Sequence, residues 1–153
     1  MNDILLSQDV YMIFQLILAL ALGGMLGVER EAAGKPAGMR TYALVSMGSA
    51  LFTIVSLGIF HEMAGQAGVV LDPSRIAYAI ALGIGFIGGG SILHRSTQVE
   101  GITTAAGIWV AGAIGLAVGM EFYLIAIFAT ALSFFVFSGL RPVKKFVKEK
   151  AKK

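Results

Sequence analysis

The chain has 153 residues, of which 57% are hydrophobic and 14% charged, with a mean hydropathy of +0.82. A water-soluble domain of this length would struggle to stay in solution with that balance, and the lack of cysteine excludes disulfides, thiolate metal sites and cysteine nucleophiles. The net charge of +3 sits almost wholly at the C-terminal end, which describes a membrane face rather than a nucleic-acid surface.

Five apolar runs follow in chain order, each close to the ~20 residues that a helix needs to cross a bilayer. They extend from Val10 to Val28, Thr41 to Phe60, Ile76 to Leu93, Ile102 to Met120 and Phe122 to Leu140. The expected fold is all-α, a polytopic bundle of five transmembrane helices over residues 1–140 with a basic tail over 141–153. No soluble catalytic domain is expected at either end, so function should reside in the bundle, its loops or its tail.

The first run lacks a basic n-region and is followed by Arg30 and Glu31 rather than by a small-residue cleavage site, so it reads as a retained helix. It carries a GxxxG step at Gly23 and Gly27. In the second run Tyr42, Ser46, Ser49, Thr53 and Ser56 step by 4, 3, 4 and 3, which puts every hydroxyl on one helix face. That face avoids lipid, either as interhelical and back-bonded hydroxyls or as a hydrated path for a solute. Asp72 and Pro73 give the third helix an N-cap and a first helical residue. Gly85 and Gly89 repeat the small-residue step in run three, and Ala111, Gly115 and Gly119 repeat it in run four; Gly88 and Trp109 join the candidate packing positions. Gly83 to Gly88 also fits G-x-G-x-x-G, but no strand precedes it and the dinucleotide reading is rejected. Run five, rich in Phe122, Tyr123, Phe128, Phe134, Phe135 and Phe137, is expected at the periphery facing lipid, and it should stop at Gly139 before Pro142. Beyond it, Val143, Phe146 and Val147 share a face among lysines, which suits either an amphipathic segment on an anionic leaflet or a basic tail that fixes orientation.

Eleven of the twelve basic residues fall on one side of the predicted spans, and Arg75 is alone on the other. The positive-inside rule then places the N-terminus outside and the C-terminus in the cytoplasm. Ala19 to Gly23 resembles Ala79 to Gly83, and Ala37 to Thr41 resembles Glu100 to Thr104, which suggests a parallel repeat of a helical hairpin.

A charged cluster is expected at the cytoplasmic face: Glu29, Arg30, Glu31, Arg40, Thr41, Arg95, Glu100, Thr103 and Thr104, with His94 beside it. Glu29 adjoins apolar Val28, and an ionised carboxylate there needs a partner, for which Arg40 and Arg95 are the candidates. The cluster is either interfacial ion pairing, or a functional surface in which Glu29, Glu31 and Glu100 offer hard oxygen ligands to a hydrated Mg²⁺ or dock a partner protein. His61 and His94 belong to opposite faces and cannot share a metal. No Asp, Glu, Lys or Arg lies near the middle of a run, and no P-loop, HExxH or nucleophile elbow occurs, so an enzyme is not expected.

Gly27-Val28-Glu29-Arg30-Glu31, Lys35-Pro36-Ala37-Gly38-Met39-Arg40-Thr41, Gly85-Phe86-Ile87-Gly88-Gly89-Gly90-Ser91-Ile92, and Gly101-Ile102-Thr103-Thr104-Ala105-Ala106 with Trp109 resemble the MgtC/SapB family of bacterial inner-membrane proteins. The match runs from about Leu22 to Gly119 in the family's order. The resemblance implies a five-helix multi-pass protein of the cell inner membrane linked to magnesium homeostasis, growth in low Mg²⁺, acid tolerance and, in some pathogens, survival in host cells. It also implies two roles: modulation of a membrane partner, such as the F-type ATP synthase, or transport of Mg²⁺ or another small ion. Longer members carry a soluble C-terminal domain where this chain has the basic tail, and Glu100 stands where a less acidic residue is expected. GxxxG faces left over after intramolecular packing would permit a homodimer in the lipid bilayer.

Overall fold

The computed structural model describes residues 2–64, 66, 72, 74–95 and 98–140, with side chains for 7–64, 66, 72, 74–92 and 99–140. The expected amphipathic tail, Pro73, Pro142 and the side chains of His94 and Arg95 lie outside the described residues. Five helices form: α1 (Asn2–Ala32), α2 (Met39–Met63), α3 (Ser74–Gly90), α4 (Ile102–Gly119) and α5 (Tyr123–Gly139). Three of them, over Ser7–Ala32, Met39–Met63 and Ile102–Gly119, are long and apolar enough to cross a membrane, and α3 and α5 are apolar helices of 17 residues. Large apolar side chains such as Phe86, Leu82 and Leu124 cover the outer surface, as a lipid surrounding requires.

One element departs from the all-helical expectation. The third apolar run continues to Leu93, but α3 stops at Gly90, because three successive glycines are poor helix formers. Ser91 and Ile92 close it with N–H bonds to the carbonyls of Gly88 (3.0 Å) and Gly89 (3.1 Å). A short antiparallel hairpin follows, β1 (Leu93–Arg95) against β2 (Gln98–Glu100), in the register Leu93 to Glu100. Gly101 then turns the chain into α4 at φ 95°, a left-handed conformation in which any side chain would also strike the Ser91 carbonyl.

The other connections are local in origin. At the end of α1, Gly34 adopts φ 64° and the N–H groups of Gly34 and Lys35 bond to the carbonyls of Glu31 (2.9 Å) and Arg30 (3.0 Å), a Schellman termination. The same pattern ends α4, with N–H bonds from Glu121 to Val118 (3.0 Å) and from Phe122 to Ala117 (2.8 Å). There the left-handed residue is Glu121, φ 67°, where glycine would avoid roughly 1 kcal/mol of backbone strain. Before α3, Asp72 Oδ1 accepts the Ser74 hydroxyl (2.7 Å) and backbone N–H (2.9 Å), which hold its carboxyl below the usual carboxylate range.

α4 is the centre of the bundle and packs against every other helix. Its buried face, Gly107, Ile108, Ala111, Gly112, Gly115, Val118 and Gly119, meets the hydroxyl stripe of α2. An added methyl group at Gly115 would overlap the Ser46 carbonyl, and one at Gly119 would come within 2.7 Å of Thr53 Cβ. Gly23 and Gly27 do the same for α1 on α2, where a methyl at Gly27 would lie 2.5 Å from the Met39 Cα. Lipid tails are as apolar as the helices, so this close backbone contact is what holds them together.

Three expected packing positions fall elsewhere. Gly85 and Gly89 face open space, and Gly88 lies on the α4 backbone at Ala105, because the buried face of α3 is Ile80, Ile84 and Gly88. Trp109 is 53% exposed on the outer face of α4. α5 is peripheral as expected, burying Ala126, Thr130 and Phe137 while Phe122, Phe128, Phe134 and Phe135 face outward.

Gly115→Ala should therefore lower the thermal stability of the detergent-purified protein by about 1–3 kcal/mol, as overpacking does. Gly85→Ala and Gly89→Ala should leave it unchanged or slightly higher, and melting curves of the three variants followed by size-exclusion elution would check the contrast.

Candidate functional site

The residues expected in the charged cluster do gather at one end of the bundle, where α1 ends and α2 and α4 begin, but they separate into a buried set and an exposed set. Glu29 and Arg30 are 7% and 3% exposed, although they are charged and adjacent in sequence. The last turn of α1 is enclosed: Gly27 lets the start of α2 approach at Met39, and α5 covers another side with Phe137. Val28 and Glu31 on either side of the pair face outward.

Arg30 Nη1 lies 3.8 Å from Glu29 Oε2, and the guanidinium sits over the Phe137 ring, its Cζ 4.6 Å from the centroid. A flat cation on an aromatic face recovers part of the solvation that burial removes. Arg30 Nε has no hydrogen-bond partner among the described residues, so the ring, the carboxylate and the Tyr42 hydroxyl share that compensation. Tyr42, fully buried in the first turn of α2, lies within electrostatic reach of both Arg30 and Glu29. Its hydroxyl donates to the Thr104 carbonyl at 3.3 Å. Gly107 makes this arrangement fit, because a methyl group there would overlap the Tyr42 hydroxyl and come within 2.8 Å of the Phe137 ring.

The exposed set does different work. Glu31 Oε2 accepts the Met39 N–H at 2.9 Å, placing a carboxylate at the positive end of the α2 dipole. Arg40 is exposed and lies within ion-pair distance of no acidic residue among those described, so it does not hold Glu29 as expected. Thr103 and Glu100 are exposed, Thr41 is half-buried and Thr104 is buried. Among the described residues no three His, Cys, Asp or Glu side chains come together as a metal site. The geometry explains why Glu29, Glu31 and Glu100 do not assemble one: Glu29 and Glu31 are two residues apart on a helix and point to nearly opposite sides. His61 closes α2 at the far end of the bundle from β1, which contains His94.

The hydroxyl stripe is a packing face. Tyr42, Ser46, Ser49 and Thr53 are buried, with Ser49 and Thr53 donating to the carbonyls of Val45 (2.9 Å) and Ser49 (2.8 Å) in their own helix. Ser46 Oγ has no partner among the described residues. Of the five, only Ser49 and Ser56 border an open groove, an apolar one of about 550 Å³ between α2 and α3. At the far end, buried Gln15 donates to the Val118 carbonyl (3.2 Å), and the Tyr11 and Tyr123 hydroxyls bond at 2.6 Å.

Phe137 was expected to face lipid with the other aromatics of its run but is buried, because its ring lies against the Arg30 guanidinium and Gly107; Gly107 and Gln15 were not singled out by sequence reasoning. Phe137 is one of many aromatics in its run and Gly107 one of 20 glycines, so neither stood out by residue type. The one pointer to Gly107 was its place directly after the Gly-x-Thr-Thr-Ala-Ala stretch.

Comparison with known proteins follows this geometry closely. Residues 16–146 match the MgtC family, a stretch that includes the whole site. YhiD of Escherichia coli (strain K12), which carries a provisional label as a magnesium transporter, is 47% identical over 81% of this chain and 58% of its own length. SrpB of Synechococcus elongatus is 36% identical over 95% of this chain and 84% of its own length. MgtC of Salmonella typhimurium (strain LT2) is 36% identical over 78% of this chain and 48% of its own length. The chain thus spans about half the length of several curated relatives that it matches. No solved structure matches it significantly.

Arg30→Gln should destabilise the protein by about 3 kcal/mol, since it removes the cation beside a buried carboxylate and the group that stacks on Phe137. Phe137→Leu should cost about 1–2 kcal/mol through the lost ring contact. The double variant Glu29→Gln/Arg30→Gln should recover part of the loss, and a double-mutant cycle of melting temperatures would measure the coupling.

Proposed function

The chain belongs to the MgtC family, and from that premise we propose that it is a non-enzymatic inner-membrane protein that serves magnesium homeostasis by acting on another membrane protein. The magnesium label of YhiD supports the physiological setting. The observation that carries the mode of action is the burial of the α2 hydroxyl stripe against the glycines of α4. An ion path needs polar groups that face a wettable space, whereas Tyr42, Ser46, Ser49 and Thr53 are buried and the groove that Ser49 and Ser56 border is apolar. All five helices cross the membrane in this reading, with the N-terminus outside and the charged end of the bundle in the cytoplasm. That end, with Glu31, Arg40, Thr103 and Glu100 exposed, is the surface offered to a partner under low Mg²⁺ or acid stress. The F-type ATP synthase is the partner class that the family resemblance implies.

The second reading, a carrier of Mg²⁺ or another small ion, is favoured by the name of YhiD. The two readings separate in liposomes loaded with a Mg²⁺-sensitive dye. Purified protein should give no flux above empty liposomes, and Ser49→Ala/Thr53→Ala should rescue growth at low Mg²⁺ as well as the unaltered chain does. Protein-dependent flux that the double variant loses would overturn the modulator reading and establish the carrier.

A further inference from the structure

A second groove, of about 520 Å³, runs along the outer surface between α1 and α2, lined by Leu20, Gly24, Met25, Val28, Ala43 and Leu44 with Arg40 among its walls. The two helices are antiparallel neighbours. Gly27 meets Met39 and Gly23 meets Tyr42, so the groove descends from the level of Arg40 to that of Leu20. Seven helical residues from Gly27 to Leu20 correspond to a depth of about 10 Å. Both helices are long and apolar enough to cross a membrane, and Arg40 occupies the second position of α2, so the groove starts at the membrane surface and enters the hydrocarbon.

We infer that this groove holds an anionic phospholipid, with one acyl chain against Gly24, Met25 and Leu44 and the phosphate on the Arg40 guanidinium. Charge selects the occupant. Arg40 is exposed and forms no ion pair among the described residues. Glu31, the acid nearest in the last turn of α1, is engaged with the Met39 N–H. Lys35 is also exposed, in the turn between the two helices, and adds positive charge at the same end. An exposed guanidinium without an ion pair among the described residues, at the rim of a membrane groove, suits a phosphate, which it can bond through two parallel N–H groups. A zwitterionic lipid fills the apolar part equally well and carries the same phosphate, but its own ammonium group offsets that charge and leaves less for the guanidinium. A partner helix would cover the groove and leave Arg40 facing its apolar side. The inference shares Arg40 with the proposed partner surface but does not rest on that reading, because the groove lies on the outer face of α1 and α2 and would hold a lipid in a carrier as well.

Lipid selectivity at this position can be read with brominated phospholipids. Leu20→Trp in a Trp109→Phe background puts the single indole at the inner end of the groove. Quenching by brominated phosphatidylglycerol should exceed that by brominated phosphatidylcholine by an apparent affinity ratio of about five-fold, the effect of one basic residue near an anionic headgroup. Arg40→Gln should bring the ratio to one, and Arg40→Lys should retain part of it. On the unaltered full chain, native mass spectrometry should show one phosphatidylglycerol retained at detergent concentrations that strip phosphatidylethanolamine, and Arg40→Gln should lose it. A ratio of one in the Arg40 protein, or retention of phosphatidylglycerol that is indifferent to Arg40→Gln, would overturn the site. A preference for the anionic lipid that persists at the indole after Arg40→Gln would assign it to the general surface potential and would equally overturn it.

Discussion

The contact of α4 with α2, backbone against backbone through Gly115 and Gly119, is the interaction on which the rest of this structure depends. In a bilayer, an apolar side chain gains little by leaving lipid for another helix, so cohesion must come from dispersion at close range and from polar groups that find partners. The four α4 glycines supply the first condition by removing the side chains that would separate the helix axes. The α2 hydroxyls contribute to the second: Tyr42 bonds across to the Thr104 carbonyl of α4, and Ser49 and Thr53 bond to carbonyls of their own helix while lying flush with the facing backbone. α4 thereby becomes the post around which α1, α3 and α5 are set.

The buried pair of Glu29 and Arg30 is a consequence of that arrangement. Gly107, about two helical turns before Gly115 on the α4 face, leaves room for the Tyr42 hydroxyl and the Phe137 ring together, and those two groups form the walls in which the guanidinium rests. Charges so enclosed are costly unless compensated, and here the compensation comes from three helices at once: a carboxylate of α1, a phenol of α2 and a ring of α5. Its role in a membrane protein is specificity, since alternative packings of five greasy helices would leave the pair unmatched. Buried polar groups that fix one arrangement among several are well attested in helical assemblies.

Sequence patterning carried much of this. The positions of α1, α2, α4 and α5 follow from runs of apolar residues of the right length, and the face of α2 that turns inward follows from the 4, 3, 4, 3 spacing of its hydroxyls. Gly23, Gly27, Gly115 and Gly119 were legible as contact points, whereas Gly85 and Gly89 were not excluded, because a small-residue step states that a helix can be approached and not that anything approaches it. The β1–β2 hairpin was hidden by Ile92 and Leu93, which extend an apolar run past the glycines that end the helix. The split of the charged cluster was illegible for a different reason. Whether Glu29 or Glu31 turns inward depends on the rotation of α1 about its axis, and that rotation is fixed by α2, α4 and α5 rather than by α1 itself. Trp109, conspicuous as the only tryptophan, drew attention that its exposed position does not repay.

The α1–α2 connection is closed by partners close in sequence: the Schellman bonds at Gly34 and Lys35, and a Glu31 carboxylate that reaches Met39 only eight positions on. Such a turn needs nothing from the later chain, so the first two helices can form a finished hairpin while the remainder is still being synthesised. Part of its polar face is then temporarily turned to lipid, with the Ser49 and Thr53 groups waiting for the surface that α4 provides. The order of translation thus becomes an order of assembly, in which an early hairpin with an uncovered hydrophilic seam recruits the glycine-lined helix that seals it.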